Sequence, residues 1–343
     1  MNTILTDMEI NELEQYFEEL GEQKYRAKQV FGWVHRGACS FDEMTDISNA
    51  LREKLKEAAD ISTLKIVDCQ ISKEDGTRKY LFELSDGNVI ESVFMKYKFG
   101  NSICISSQAG CRMGCVFCAS GKEGLSRNLS AGEMAEQILK VQKDVGEKIN
   151  HIVVMGTGEP FDNYDNLSKF IRIVNDKQGM NIGMRNITVS TCGIIPKINA
   201  FAQDFPQVNL AISLHAPNDE IRKKLMPIAN KYNYEDLMSA CRDYTQKTGR
   251  RITFEYTLIA GQNDSMKHAE ELTTKLQNLL CHVNLIPMNH VREFKFSSTA
   301  RDEAGKFLKK LQMKGITATI RREMGRDISA ACGQLRLSRA GEK

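Results

Sequence analysis

Apolar residues recur at helical spacing near the start of the chain. Ile10, Leu13, Phe17 and Leu20 share one face there, and Gly21 offers a stop. A second helical pattern covers 46–59, so residues 1–62 read as a small helical domain. Between 78 and 98 the pattern changes to alternation around Ser85-Asp86-Gly87-Asn88, a hairpin signal with Tyr80–Leu84 and Val89–Met95 as its strands. Residues 63–98 are therefore expected to be a β-hairpin linker. Over 99–343, strand-like and helix-like runs then take turns. Strand candidates are 102–107, 151–155, 187–191, 208–214, 252–258, 282–287 and a last one at 317–320. Helix candidates are 130–145, 164–178, 196–203, 219–224 with 234–247, 266–279 and 301–314. Such alternation predicts an α/β fold with a parallel sheet and right-handed crossovers. About six repeats predict an incomplete (β/α) barrel, which carries its chemistry at the C-terminal ends of its strands.

The chain has 343 residues, 41% of them hydrophobic, enough for one large domain with a small appendage. No apolar run approaches the roughly 18 residues of a membrane helix. Met1–Ile10 lacks the basic-then-apolar pattern of a signal peptide, so a cytoplasmic protein is expected. In that setting ten cysteines point to metal or redox chemistry rather than a disulfide framework. The net charge of +3 is too small to indicate a nucleic-acid partner by itself.

Cys111, Cys115 and Cys118 stand in a C-x3-C-x2-C run. That spacing lets three thiolates converge on one inorganic group, and thiolates favour zinc or iron–sulfur clusters. A structural zinc site and a four-iron cluster each usually take four protein ligands. The local count stops at three, with no histidine between His35 and His151. One vertex is thus left for a non-protein ligand, and S-adenosylmethionine (SAM) can fill it through its amino and carboxylate groups. Zinc with a distant fourth ligand, and three cysteines buried merely as small apolar side chains, are the other readings.

Further candidates sit where a barrel would place them. The cysteine loop follows the first barrel strand, and Gly156-Thr-Gly158-Glu159-Pro160 follows the second. Ser190-Thr-Cys192-Gly193 follows the third, Ser213-Leu214-His215 the fourth, and Ile286-Pro-Met-Asn289 the sixth. Each alone is an ordinary turn; four in succession behind the cysteine loop indicate a ligand site. Two cysteines stand apart, Cys104 in the first barrel strand and Cys332 beside Gly333 near the C-terminus. Residues 24–36 carry four Lys/Arg and no acid, with aromatics at Tyr25, Phe31 and Trp33. They fit either an ordinary solvated helix face or sequence-blind contact with phosphates. From Arg321 on, six Lys/Arg stand against three acids, a further surface for phosphate.

Together, Cys104-Ile-Ser-Ser-Gln-Ala-Gly-Cys111-x3-Cys115-x2-Cys118, Gly156-x-Gly-Glu-Pro160, Ala211-Ile-Ser-Leu-His-Ala-Pro-Asn-Asp219 and Asp327-Ile-x-Ala-Ala-Cys-Gly-Gln-Leu335 resemble one family, the radical-SAM RNA adenosine methyltransferases RlmN and Cfr. The resemblance covers essentially the whole chain. Pro160, and Cys192 within Ser-Thr-Cys-Gly, are more like RlmN. The 290–300 segment departs from the family pattern, which leaves its RNA contacts open.

The resemblance implies an incomplete (β/α)6 radical-SAM barrel with a helical RNA-binding module in front. It implies methylation of C2 of an adenosine in 23S rRNA and of the adenosine beside the anticodon (position 37) in some tRNAs. Methylation of C8, as by Cfr, and a radical-SAM reaction on a small molecule are the alternatives. By the match, Cys111, Cys115 and Cys118 hold a [4Fe-4S] cluster. Gly158, Glu159, Ser190, Ser213, Leu214, His215 and Asn289 contact SAM, of which two are used per turnover. Cys332 carries the methyl group, Glu91 accepts the C2 proton, and Cys104 frees the product, leaving a transient Cys104–Cys332 disulfide. An electron donor such as flavodoxin or ferredoxin, no membrane and a monomeric chain complete the expectation.

Overall fold

A computed structural model describes residues 2–122, 124–289 and 296–335. Part of the divergent 290–300 segment and the end of the basic tail lie outside them.

Near the N-terminus, β1 (Thr3–Ile4) pairs in parallel with β2 (Ala59–Asp60), and helices α1 (Ile10–Glu19), α2 (Lys24–Val34) and α3 (Asn49–Ala58) pack between them in sequence. Glu9 and Glu12 form a reciprocal capping box on α1. Leu13, Phe17, Phe31, Val34, Leu51 and Leu55 belong to a core of this unit alone.

Strands β3 (Lys65–Ile71), β4 (Arg78–Glu83) and β5 (Val89–Tyr97) form an antiparallel meander. The segment expected to be a connecting hairpin is thus part of the main sheet, because β5 continues antiparallel into β6 (Gly100–Ile105). The short ribbon β7 (Gln108–Gly110) and β8 (Leu125–Asn128) brackets the cysteine loop. Helix α4 (Ala131–Val145) leads to β9 (His151–Val154), α5 (Tyr164–Asn175) to β10 (Ile187–Thr191), and α6 (Ile195–Asp204) to β11 (Asn209–Ser213). Two helices, α7 (Asp219–Leu225) and α8 (Tyr234–Thr248), precede β12 (Ile252–Leu258). Then come α9 (Met266–Leu276), β13 (Cys281–Pro287), α10 (Arg301–Met313) and β14 (Ala318–Ile320).

The sheet order is β14-β13-β12-β11-β10-β9-β6-β5-β4-β3, and every pairing from β6 to β14 is parallel. The two ends of that order do not pair with each other, so the barrel is open. Parallel strands buried on both faces read as apolar runs, as in Ile152, Val154, Val189, Leu210, Ile212, Phe254 and Leu285 of the main core.

The helical unit is fixed to the barrel by buried polar contacts rather than by a shared core. Glu136 of α4 accepts from Thr6 Oγ1 at 2.6 Å and from the amides of Thr63 and Leu64 at 2.8 and 2.7 Å. Asp7 Oδ1 accepts the Gly132 amide at 2.7 Å, at the N-terminus of α4, beside the Ser130–Glu133 capping box. Beyond β14, the chain runs across the sheet's open side. Gly325 N donates to Asp75 at 3.0 Å and Lys73 N to Asp327 at 2.9 Å, both at the β3–β4 turn.

Candidate active site

The cysteine loop is built by local backbone geometry. Gly110 has φ +80°, and a Cβ there would lie 2.0 Å from the Gly124 carbonyl, so only glycine fits. That close approach lets the Cys111 amide reach the same carbonyl at 2.9 Å. The Val116 amide donates to Leu225 O of α7 at 3.0 Å, which holds the middle of the loop. Its far end meets the C-terminal segment. Ala119 N donates to Gly333 O at 2.9 Å, and Ser120 Oγ donates to Leu335 O at 2.9 Å.

These contacts close one wall of a cavity at the C-terminal ends of the parallel strands, open to solvent at its mouth. Cys111, Cys115, Cys118, Gly158, Glu159, Ser190, Ser213, His215, Asn289 and Cys332 all line it. Leu214 does not: its side chain is wholly within the main core. Glu91 lies on β5, buried, with Lys79 Nζ 3.2 Å from its carboxylate, and it lines neither this cavity nor the next.

A second, smaller cavity opens beside the first. Its walls include Val93, Cys104, Tyr97, Arg321 and Cys332. Cys332, Asn289 and Arg321 border both cavities, so Cys332 stands on the partition between the cysteine loop and Cys104. Asn289 Nδ2 holds the Cys332 carbonyl at 3.1 Å.

Burial sets the electrostatics. The Cys104 thiol is pushed up to about 12, first by burial and then by the nearby Cys332, with Arg321 acting the other way. Burial pushes Cys111 up to about 12 as well, and raises Cys115 and Cys118. Without metal these groups are therefore neutral thiols, and a metal that binds them must displace protons. His215 is lowered to about 3 by burial and then by Arg222. Its Nδ1 accepts the Thr257 amide at 2.9 Å, which leaves the proton on Nε2. Glu159 is raised by burial; its oxygens accept the Phe161 and Cys192 amides at 3.0 and 2.7 Å. The Cys192 thiol, a fifth cysteine in the wall, also bonds to Glu159.

No three His, Cys, Asp or Glu side chains among the described residues are close-set enough to hold a single metal ion. A zinc site draws its thiolates to about 2.3 Å from one centre, whereas a cluster gives each thiolate its own iron and spreads them. Three free thiols along one wall of a large cavity fit a cluster with one vertex left for SAM.

Comparisons with known proteins identify the family and the fold. Residues 3–61 match the family model described as Ribosomal RNA large subunit methyltransferase N-terminal domain, and residues 105–272 match that of the Radical SAM superfamily. A protein of Lachnospira eligens named "Probable dual-specificity RNA methyltransferase RlmN" is 56% identical, covering 97% of this chain and 96% of its own. The chain belongs to the RlmN family. A relative of the same name from Thermoanaerobacter sp. is 54% identical, with 97% of each chain covered. The crystal structure of a radical SAM methyltransferase from Sphaerobacter thermophilus superposes with a TM-score of 0.94 at 44% identity, over 98% of this chain and 100% of that one. As an RlmN-family member the chain is a radical-SAM RNA methyltransferase that uses a [4Fe-4S] cluster and SAM. No helix among the described residues is long and apolar enough to cross a membrane.

Sequence reasoning missed Arg321 and Glu255. Arg321 follows the last strand directly and is held fully protonated, chiefly by Cys332 and then Glu255. Glu255 is buried, is raised by that burial, and accepts from Asn284 Nδ2 at 2.8 Å. Its signal was present, as the one acid inside the otherwise uncharged run Ile252–Leu258.

Basic residues of 24–36 are partly used internally: Lys24 and Lys28 pair with Glu18 and Glu14 of α1 at 3.1 and 3.5 Å. Tyr25 is 53% exposed, with the Arg26 guanidinium over its ring at 4.7 Å.

Proposed function

We propose that the chain methylates adenine C2 in 23S rRNA and in position 37 of tRNA, through a methyl group carried on Cys332. The observation that supports this most directly is the position of Cys332, which borders the cavity of Cys111, Cys115 and Cys118 on one side and that of Cys104 on the other. A residue that must accept a methyl group, present it to a radical centre and then be attacked by a second thiol needs access to both.

Cys111, Cys115 and Cys118 hold the cluster. When bound, the cluster and SAM supply the radical chemistry that a polar displacement at C2 lacks. Gly158, Glu159, Ser190, Ser213, His215 and Asn289 shape the SAM site, with Leu214 contributing through its backbone. Two SAM molecules serve each turnover, one giving its methyl group to the Cys332 sulfur. Gly333 and Asn289 hold the Cys332 loop while the methyl carbon is joined to the base. Glu91, ion-paired with Lys79 and two positions before Val93, takes the C2 proton; Val93 is the β5 partner of Cys104. The Cys104 thiolate then bonds to the Cys332 sulfur, whose link to the methylene carbon breaks with its electron pair passing into the adenine ring; that carbon takes up a proton and the methylated RNA is freed. A reductant returns that transient disulfide to two thiols. The target base must leave its stack to enter, and the unit of residues 1–62 binds RNA nearby. A flavodoxin- or ferredoxin-like donor supplies electrons, and the chain works as a monomer in the cytoplasm.

The test is the mass of the Cys332 peptide from protein purified anaerobically with its cluster loaded, beside its iron content. One added methyl group with iron present is the expected result. An unmodified peptide with full iron sinks the roles of Cys332 and Cys104 together.

A further inference from the structure

Arg222 lies on α7, the helix whose Leu225 carbonyl accepts the amide of Val116 in the cysteine loop at 3.0 Å. It is fully buried, at 0% exposure. Its Nη2 donates to the carbonyls of Cys192 at 2.5 Å and Ser213 at 3.4 Å. Its Nε and Nη1 are buried with no partner among the described residues. Among the described residues the guanidinium therefore hydrogen-bonds carbonyls and no carboxylate; the ionisable groups around it are the Cys192 and Cys115 thiols first, then Tyr234 and Cys241, with the partly exposed Asp219 carboxylate on its own helix acting only at a distance.

A guanidinium does not shed its proton inside a protein. Burying one with no carboxylate in hydrogen-bonding range is strongly unfavourable, because its desolvation is left largely uncompensated. A fold keeps such a group where a negative partner, absent from the bare polypeptide, completes it. Cys115 and Cys192 both line the main cavity, so that partner belongs there. Three thiolates outweigh the charge of a cluster core, which leaves a net negative group that becomes more negative on reduction.

We propose that Arg222 is the buried counter-cation of the cluster and raises its reduction potential. It is a positioning residue that acts through charge, not a group that touches RNA. The inference rests on reading Cys111, Cys115 and Cys118 as the cluster ligands. Sequence alone hides it, because Arg222 falls in the charged run Asp219–Lys224 of a helix that looks solvated.

The experiment uses the full chain with its cluster reconstituted, as native protein, Arg222→Gln and Arg222→Lys. Glutamine keeps a donor for the two carbonyls and loses the charge; lysine keeps the charge. Iron per chain, the thermal midpoint and an EPR-monitored redox titration are recorded for each. Arg222→Gln is expected to hold native iron but to need a potential at least 59 mV more negative for half-reduction, a tenfold loss in the one-electron equilibrium. Arg222→Lys should stay within a threefold change. An unchanged potential in Arg222→Gln overturns the proposal, and so does equal loss of iron from both variants. Iron lost from the glutamine variant alone supports it, because lysine also gives up the planar guanidinium fork and yet keeps the charge. Native protein that takes up no iron would instead sink the ligand assignment, a separate failure.

Discussion

Asn289 Nδ2 donates to the carbonyl of Cys332 at 3.1 Å, across 43 residues of sequence. The bond joins the end of β13 to the C-terminal loop at the partition between the two cavities. Removing it should loosen the loop without touching the cysteine loop. Asn289→Ala is expected to lose about 1 kcal/mol of local hydrogen bonding and to lower RNA methylation about tenfold, if positioning within about 1 Å matters as it does in other enzymes. Iron content should remain native. Single-turnover methylation beside iron analysis checks this; native activity in the variant would show that the loop is held by Gly333 and Leu335 alone.

Among the described residues no cation hydrogen-bonds the Cys104 sulfur, and burial holds its thiol up at about 12. At neutral pH the thiolate is then a small minority, and its share grows tenfold per pH unit below that value. Release of product from a Cys332–RNA adduct should therefore accelerate steadily between pH 7 and 9 with no plateau. Cys104→Ala should accumulate the adduct, seen as a gel band that RNase collapses. A release rate independent of pH would show that thiolate formation is not the slow step.

Much of this was legible in the chain because period and spacing are local properties. The barrel strands and helices followed from alternation, and the cysteine loop and strand-end turns from motif position. The meander was less legible: β3 carries the exposed apolar residues Ile66, Val67 and Ile71, which give no clean two-sided pattern. Nor does local pattern show that β5 pairs onward with β6, a choice made by tertiary packing. Long-range charge was hidden for the same reason. Arg321, Glu255 and Arg222 acquire their meaning from neighbours in the fold, and Leu214 sits in a matching motif yet turns its side chain into the core.

Gly110 separates local strain from a steric clash. Gly110→Ala combines a positive φ with a Cβ 2.0 Å from the Gly124 carbonyl, whereas Gly124→Ala carries a positive φ and open space around its Cβ. Positive φ alone costs about 1 kcal/mol for a non-glycine residue, so Gly124→Ala should fold and hold iron. Gly110→Ala must push β7 from β8 and displace the Cys111 amide, with an expected loss of about 3 kcal/mol and most of the iron. Urea unfolding and iron content on both variants decide it, and equal behaviour would mean that the loop adapts.

Acid should weaken the metal-free protein through its buried histidines. His35 packs on Phe31, has no hydrogen-bond partner at either ring nitrogen among the described residues, and is lowered to about 3 by burial. His215 is lowered to about 3 as well. The unfolded chain takes up a proton at each near pH 6.5, while the folded chain takes up none until about pH 3. The unfolded state therefore binds more protons in between, and stability falls as pH drops from 6.5 toward 3. Each histidine contributes a slope of about 1.4 kcal/mol per pH unit in that window. His35→Phe removes one of these slopes and also the cost of burying two unpaired polar nitrogens, so it should be more stable by about 1 kcal/mol at pH 7. Its advantage over the native chain should widen by about 1.2 kcal/mol between pH 6 and pH 5, because the unfolded ring is only partly protonated at pH 6. Urea unfolding at pH 7, 6 and 5 measures both. Parallel curves for the two proteins would show that His35 is not buried as a neutral ring, because only a proton taken up on unfolding can make them diverge.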